Sequence, residues 1–242
     1  MSSIRQESPA RAIQWQQAGN AKHGKPVSLE TVYHVGDLSR ERVVPYTSQE
    51  GSELSVSVHP EVWEQLIKSG GLVKGNSLTT YKLTNPDGEF YFVDPSNELE
   101  TETEWCLNTG FIEWVAGYRV TFIDENGDER YLKVEDEHTA REEAEARQCS
   151  FSPEQILSLG PRGQTYWEEA FGQPPESASP ILIEGMLPIW YANELGVDGV
   201  WWAERLAPEN YSAPRGCIFQ DKLEHWDQTL VSRDRANHNR PE

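Results

Sequence analysis

Many side chains along this chain could hold a metal or move a proton, but few stand at a spacing that would make a site. The most tempting metal signal is DENGDERYLKVE, where Asp124, Asn126, Asp128 and Glu135 stand at positions 1, 3, 5 and 12 of a calcium-loop spacing. Such a loop needs glycine at its sixth position, which here is Glu129, and the flanks alternate like strands. The stretch therefore reads as an ordinary hairpin, and no metal is expected. His23, His34, His59, His138, His225 and His238 show no HExxH spacing and lie near no cysteine pair, so zinc is not indicated. The sequence has no GxSxG elbow, no GxxxxGK[ST] loop and no GxGxxG after a strand. Nucleophile-elbow hydrolases, P-loop NTPases and Rossmann enzymes lose their usual warrant. Cys106, Cys149 and Cys217 are odd in number and form no CxxC pair, which fits a reduced, cytoplasmic setting.

Charge narrows the partners. Forty acidic residues against 21 basic ones leave −19, which repels nucleic-acid phosphates over most of the surface. Direct nucleic-acid binding is not expected, unless the chain imitates DNA charge to occupy a DNA-binding partner. Glu135, Asp136, Glu137, Glu142, Glu143 and Glu145 read as a solvated helix face or as a binding face for a basic partner. No stretch approaches the roughly 20 apolar residues of a membrane helix, and the first residues carry no apolar signal core. Neither membrane insertion nor export by a signal peptide is expected.

The elements that must position any site read mostly as strands. Residues 1–26 are expected as a polar tail ending in the turn-like HGKP, 27–230 as one α+β domain with an insertion at about 100–180, and 231–242 as a mobile tail. TVYHVG (31–36) and the alternating ELSVSV (53–58) are strand candidates. HPEVWEQLIKSGG is a helix with Pro60 in its first turn, Val62, Leu66 and Ile67 inward, and Gly70 or Gly71 at its end. TTYKLTNPDGEFYFVD predicts a hairpin turning at Asn85-Pro86-Asp87-Gly88. YRVTFIDENGDERYLKV predicts a second, whose Asn126-Gly127 centre implies a type I′ turn with Phe122 facing Tyr131. EDEHTAREEAEARQ is an acidic helix, LGPRG and GQPPESASP are loops around a TYWEEAF helix, and GMLPIWYANELG is a buried helix ended by Gly196. VDGVWW and GCIF close the domain as strands. Tryptophans gather as Trp105/Trp114 and Trp190/Trp201/Trp202, and successive strand residues point to opposite faces. Trp201 and Trp202 cannot both enter one core, so one lines a cleft or is covered by an insertion. The order of elements gives an α+β fold with an antiparallel or mixed sheet.

Four segments in order resemble the ADP-ribosyltransferase-like fold, in particular its divergent toxin- and phage-associated branch with a YHG-type first strand. They are VYHVG, SVSVHPEVW, YKLTNP, and ANELGVDGVWW followed by GCIFQDKLEHW, together spanning about 31–226. The resemblance implies NAD as substrate and transfer of ADP-ribose to a macromolecule, with a protein target favoured by the charge. It implies that His34 holds the NAD ribose, with Tyr33 beside it in the cofactor-binding motif, that the Val35 and Gly36 amides hold the carboxamide, and that Ser55 and Ser57 line the nicotinamide pocket. The family's tyrosine falls on Ser55, so stacking passes to Tyr81 or a tryptophan. Its catalytic glutamate position holds Arg215, a phosphate or target anchor or else a structural ion pair. The nearest carboxylates, Glu209 and then Glu204, inherit the task of stabilising the developing cation. A catalytically silent acidic module on the same fold, blocking a basic partner, is the second expectation.

Overall fold

The structure, a computed structural model, describes residues 22–36, 38, 53–69, 79–94, 96–125, 127–203 and 214–233. The chain is α+β and forms two compact units, one of residues 1–42, 53–98 and 192–242, the other of 43–52 and 99–191. The segment expected as an insertion falls within the second. No helix among the described residues is long and apolar enough to cross a membrane.

The first unit is an eight-stranded sheet. Its strands are β1 (Pro26–Ser28), β2 (Thr31–Val35), β3 (Leu54–Ser57), β4 (Thr79–Thr84), β5 (Glu89–Val93), β9 (Gly199–Trp202), β10 (Arg215–Ile218) and β11 (Asp227–Arg233). Their spatial order is β1-β5-β9-β10-β3-β2-β4-β11. Only Leu29 and Glu30 separate β1 from β2, a link of at most about 11 Å. In a flat sheet the first and sixth places would lie roughly 24 Å apart. The sheet must therefore curl enough to bring its first and sixth strands together.

This geometry corrects the first expected hairpin. The turn at Asn85–Gly88 forms: the Gly88 N–H donates to Asn85 O at 3.0 Å and the Asp87 N–H to Asn85 Oδ1 at 3.1 Å. Yet β4 and β5 do not pair with each other. β5 runs antiparallel to β1 and β4 antiparallel to β2, so 26–35 and 79–93 are two kinked ribbons paired along their lengths. At the kink the Leu29 N–H donates to Gly88 O and the Asn85 N–H to Glu30 O, both at 3.0 Å. A Cβ on Gly88 would come within 2.6 Å of Leu29 O and of the Trp226 ring, which is why the turn bends the ribbon only with glycine there. The core of this unit holds Leu29, Val32, Val56, Leu83, Phe90, Trp201, Ile218 and Trp226, with Phe90 edge-on to both tryptophans.

Helix α1 (Pro60–Ser69) follows β3, with Pro60 first and Val62 buried, as expected. The side chains of Leu66 and Ile67, and both glycines expected to end it, lie outside the described residues. β9 pairs antiparallel with β10 and parallel with β5. Parallel neighbours need a long crossover, and the second unit is inserted in that connection. Trp201 and Trp202 are 1% and 4% exposed, so both faces of β9 are covered. Residues 231–233, expected in a mobile tail, belong to β11, which pairs with β4 around an extra residue at Val231.

The second unit centres on β6 (Ile112–Ile123), flanked by β7 (Glu129–Val134) and β8 (Ser150–Leu159). The β6–β7 hairpin is present, but Thr121 faces Tyr131 and Phe122 faces Arg130, one residue off the expected register. The Asp124 N–H donates to Asp128 O at 2.9 Å and Gly127 sits at φ 86°, which leaves a three-residue connection with an αL glycine instead of a type I′ turn. The Asp124 carboxylate favours this register by accepting from the Asp128 N–H and the Arg130 Nε, both at 3.0 Å.

Helix α2 (Glu100–Asn108) and strand β8 had no counterpart in the sequence reading. The first buries only Glu102 and Cys106, and the second carries Pro153, tolerated because β8 is an edge. Helix α3 (Glu137–Arg147) presses Ala140 and Ala144 onto Val120 and is capped by Asp136, which accepts the Thr139 N–H at 2.8 Å. LGPRG is not all loop: α4 (Pro161–Phe171) starts at its proline, and a Cβ on Gly163 would lie 2.1 Å from Phe111 O. In α5 (Pro180–Glu194), Trp190 stacks on Phe111 at 5.0 Å, and Trp105 packs on Phe111 at 5.5 Å. Trp114, grouped with Trp105 in the sequence, is 47% exposed.

Two outcomes test this packing. Gly199→Ala would bring a Cβ within 1.8 Å of Cys217 O, so urea denaturation should show a loss of about 3 kcal/mol or more. Gly185→Ala, whose Cβ meets nothing within 4 Å in α5, should gain roughly 0.5–1 kcal/mol. Burial first, and the Glu102 carboxylate second, push the Cys106 thiol up from 9.0 to about 12 against an opposing pull from Arg162. The neutral thiol is thus favoured by folding, a contribution complete below pH 9 and lost as pH rises toward 12. The stability difference between wild type and Cys106→Ala should fall across that window, and native Cys106 should resist alkylation at neutral pH while half-buried Cys149 reacts first.

Candidate functional site

β2 carries Tyr33 and His34 side by side in sequence, and strand geometry sends them to opposite faces. The register settles their neighbours. His34 lies opposite Tyr81 on β4, and Tyr81 packs against the core of the first unit. Tyr33 lies opposite Ser57 on β3 and Lys82 on β4; Ser57 lies opposite Arg215 on β10, and Arg215 opposite Trp202 on β9. One row thus runs Trp202, Arg215, Ser57, Tyr33, Lys82 across five strands. Ser55, paired with Cys217, shares its face. The expected site residues therefore divide into two sets, His34 with Tyr81 on one face, and Tyr33, Ser55, Ser57 and Arg215 on the other.

His34 is half-buried and held in a defined tautomer. Its Nδ1 is 2.8 Å from Ser55 O, and a carbonyl can only accept, so Nδ1 carries the proton and Nε2 is the acceptor of the neutral ring. The ring lies over Gly36, where a Cβ would approach Nε2 to 3.1 Å. Gly36 sits at φ 144°, a conformation that β-carbon-bearing residues rarely adopt. Its N–H donates to Thr79 O at 2.9 Å, so the strand ladder already uses one of the two amides expected to hold a carboxamide.

On the opposite face Ser57 is 2% exposed, and its hydroxyl is fully engaged. It donates to Pro214 O at 2.7 Å and accepts the His59 N–H at 3.0 Å, fastening the start of β10 to the start of α1. The Arg215 guanidinium stands 5.8 Å from the centroid of Trp63 on α1, a cation–π contact. The next residue of α1, Glu64, accepts a hydrogen bond at Oε1 from the Thr80 hydroxyl on β4 at 2.5 Å. Trp63, Glu64, Thr80 and Lys82 escaped the sequence reading. Their only signal was α1 following β3 directly, and their faces depend on a β2–β4 register that sequence does not specify.

No carboxylate stands in the His34 row among the described residues. That row is Tyr81, His34 and, through the β3 and β10 registers, Val56, Gly216 and Trp201. Glu204 and Glu209 lie outside the described residues. They belong to the 204–213 connection, which leaves β9 after Trp202 and Ala203 and enters β10 at Pro214 and Arg215, a pair of ends matched across the sheet. Among the described residues no group of three or more His, Cys, Asp or Glu is arranged to hold a metal ion.

Ser57→Ala should strand a buried carbonyl and a buried amide, costing about 1–3 kcal/mol in urea denaturation.

No protein-family model matches this chain, and neither does any curated protein or any solved structure.

Proposed function

We propose that this chain is an ADP-ribosyltransferase-like protein that binds NAD on the His34 face and transfers ADP-ribose to a protein target. One observation carries the reading. The four segments that resemble the family, separated by up to most of the chain, are neighbouring strands β4-β2-β3-β10-β9 of one sheet. Coincidental matches would have no reason to lie side by side.

The chemistry follows from that face. His34 Nε2 accepts a hydrogen bond from a ribose hydroxyl, with the ring oriented by Ser55 O. Tyr81 offers an aromatic wall beside it. The bond between the anomeric carbon and nicotinamide breaks, nicotinamide departs with the bonding pair, and positive charge develops on the ribose. A carboxylate from the β9–β10 connection, Glu209 or Glu204, stabilises that charge. A nucleophile on the target then bonds to the anomeric carbon and gives up its proton. Arg215, on the other face, serves as an anchor for α1 through Trp63.

A second reading draws on a separate observation. Residues 99–191 hold 19 Asp and Glu against 6 Lys and Arg, so most of the net negative charge lies in the second unit. A silent acidic module that occupies a basic, nucleic-acid-binding partner would concentrate charge in this way.

Incubation with labelled NAD and cell lysate should release nicotinamide and label protein, both lost in His34→Ala and in Glu209→Gln or Glu204→Gln. Absence of NAD binding by calorimetry at millimolar ligand would overturn the enzyme reading. Capture of a basic protein that weakens steeply with salt, without NAD turnover, would favour the module.

A further inference from the structure

β6 outruns its partner β7. β8 pairs with β6 from Ile112 to Thr121, whereas β7 reaches back only to Tyr118, opposite Val134. After Val134 the chain leaves the sheet, because Asp136 caps α3. Along 112–117 no described strand therefore lies on the β7 side of β6.

The hydrogen-bond phase tells which groups face that opening. The Gly160 N–H donates to Phe111 O at 2.9 Å, so Phe111 and the odd-numbered residues after it exchange bonds with β8. At the far end the Asp124 N–H bonds Asp128 O, which assigns the even-numbered residues to the β7 side. Ile112, Trp114 and Ala116 thus direct N–H and C=O into the opening. Ile112 is buried, but Trp114 is 47% exposed and Ala116 is exposed too. The stretch IEWVAG holds neither proline nor lysine, and its one charged guard is Glu113.

The surroundings specify the occupant. Glu113, Glu135 and Asp136 are exposed around the opening, within a stretch, 99–191, of 19 acidic and 6 basic residues. The Trp114 indole offers a face to a cationic side chain on the neighbouring strand. We propose that residues 112–116 dock an extended, lysine- or arginine-rich segment of a partner protein, which adds a strand in line with β7. Backbone pairing supplies the attachment, and cations at alternate positions share one face of the added strand, the face that Trp114 occupies, while the surrounding carboxylates supply the longer-range attraction. This surface is independent of NAD binding, and its failure would leave the His34 reading untouched.

The experiment titrates the full chain, followed by backbone-amide NMR, with a peptide of about eight residues alternating lysine and valine. Saturable shifts should centre on the Trp114 and Ala116 amides, and the glutamate–valine counterpart should produce none. Trp114→Ala should weaken binding about tenfold. Ala116→Pro should abolish it with an unchanged circular dichroism spectrum, since that N–H lies outside the β8 ladder. If Ala116→Pro fails to fold, Trp114→Ala alone decides. The proposal is overturned by absence of shifts at 112–116, by equal binding of the acidic peptide, or by wild-type affinity in the variants, which would mean attraction by charge alone.

Discussion

The first unit depends on how short its links are. Two residues join β1 to β2, and four join β4 to β5, while each pair occupies distant places in the strand order. Both links are too short for a flat sheet, so the kinked ribbons 26–35 and 79–93 force the curl that encloses Phe90, Trp201 and Trp226. The kink itself rests on Gly88, whose missing side chain leaves room for Leu29 O and the Trp226 ring. Local turn chemistry and global curvature meet at one residue.

The same register sorts the site. Because side chains alternate along β2, the pairing that puts Val32 in the core also turns His34 toward that face and Tyr33 away from it. Ser57 and Arg215 then take structural work, clamping β10 and α1 together through Pro214 O, the His59 amide and the Trp63 ring. An arginine at the start of β10 does not occupy the His34 row, where β10 contributes Gly216. That row holds no carboxylate among the described residues; Glu204 and Glu209 belong to the β9–β10 connection, outside them.

The second unit solves a different problem, how to order a chain so rich in like charges. Its helix α3 buries only two alanines, which lets it lie close to Val120 while its carboxylates remain in water. Ion pairs such as Lys133 with Glu184 at 2.6 Å relieve repulsion locally. Trp105, Tyr166 and Trp190 gather around Phe111, with Arg162 stacked over that ring at 4.4 Å, while Trp114 and Tyr131 stay exposed.

Much of this was legible in the sequence. Alternation located β2 and β3, the Pro60 start and apolar spacing located α1, and the Asn126-Gly127 signal located the β6–β7 hairpin. These are short-range properties, written in neighbouring residues. Less legible were α2 and β8, whose burial on few residues leaves no apolar period, and the 85–88 turn, which looks the same whether its strands pair or part. The sequence by itself determined the α+β composition, most strands and turns, and the acidic charge. Tertiary structure alone decided strand order, the one-residue register of the hairpin, and the division of His34 from Ser57 and Arg215. Those depend on hydrogen bonds and packing between residues far apart in the chain, and a shift of one residue exchanges the faces without altering the pattern along either strand.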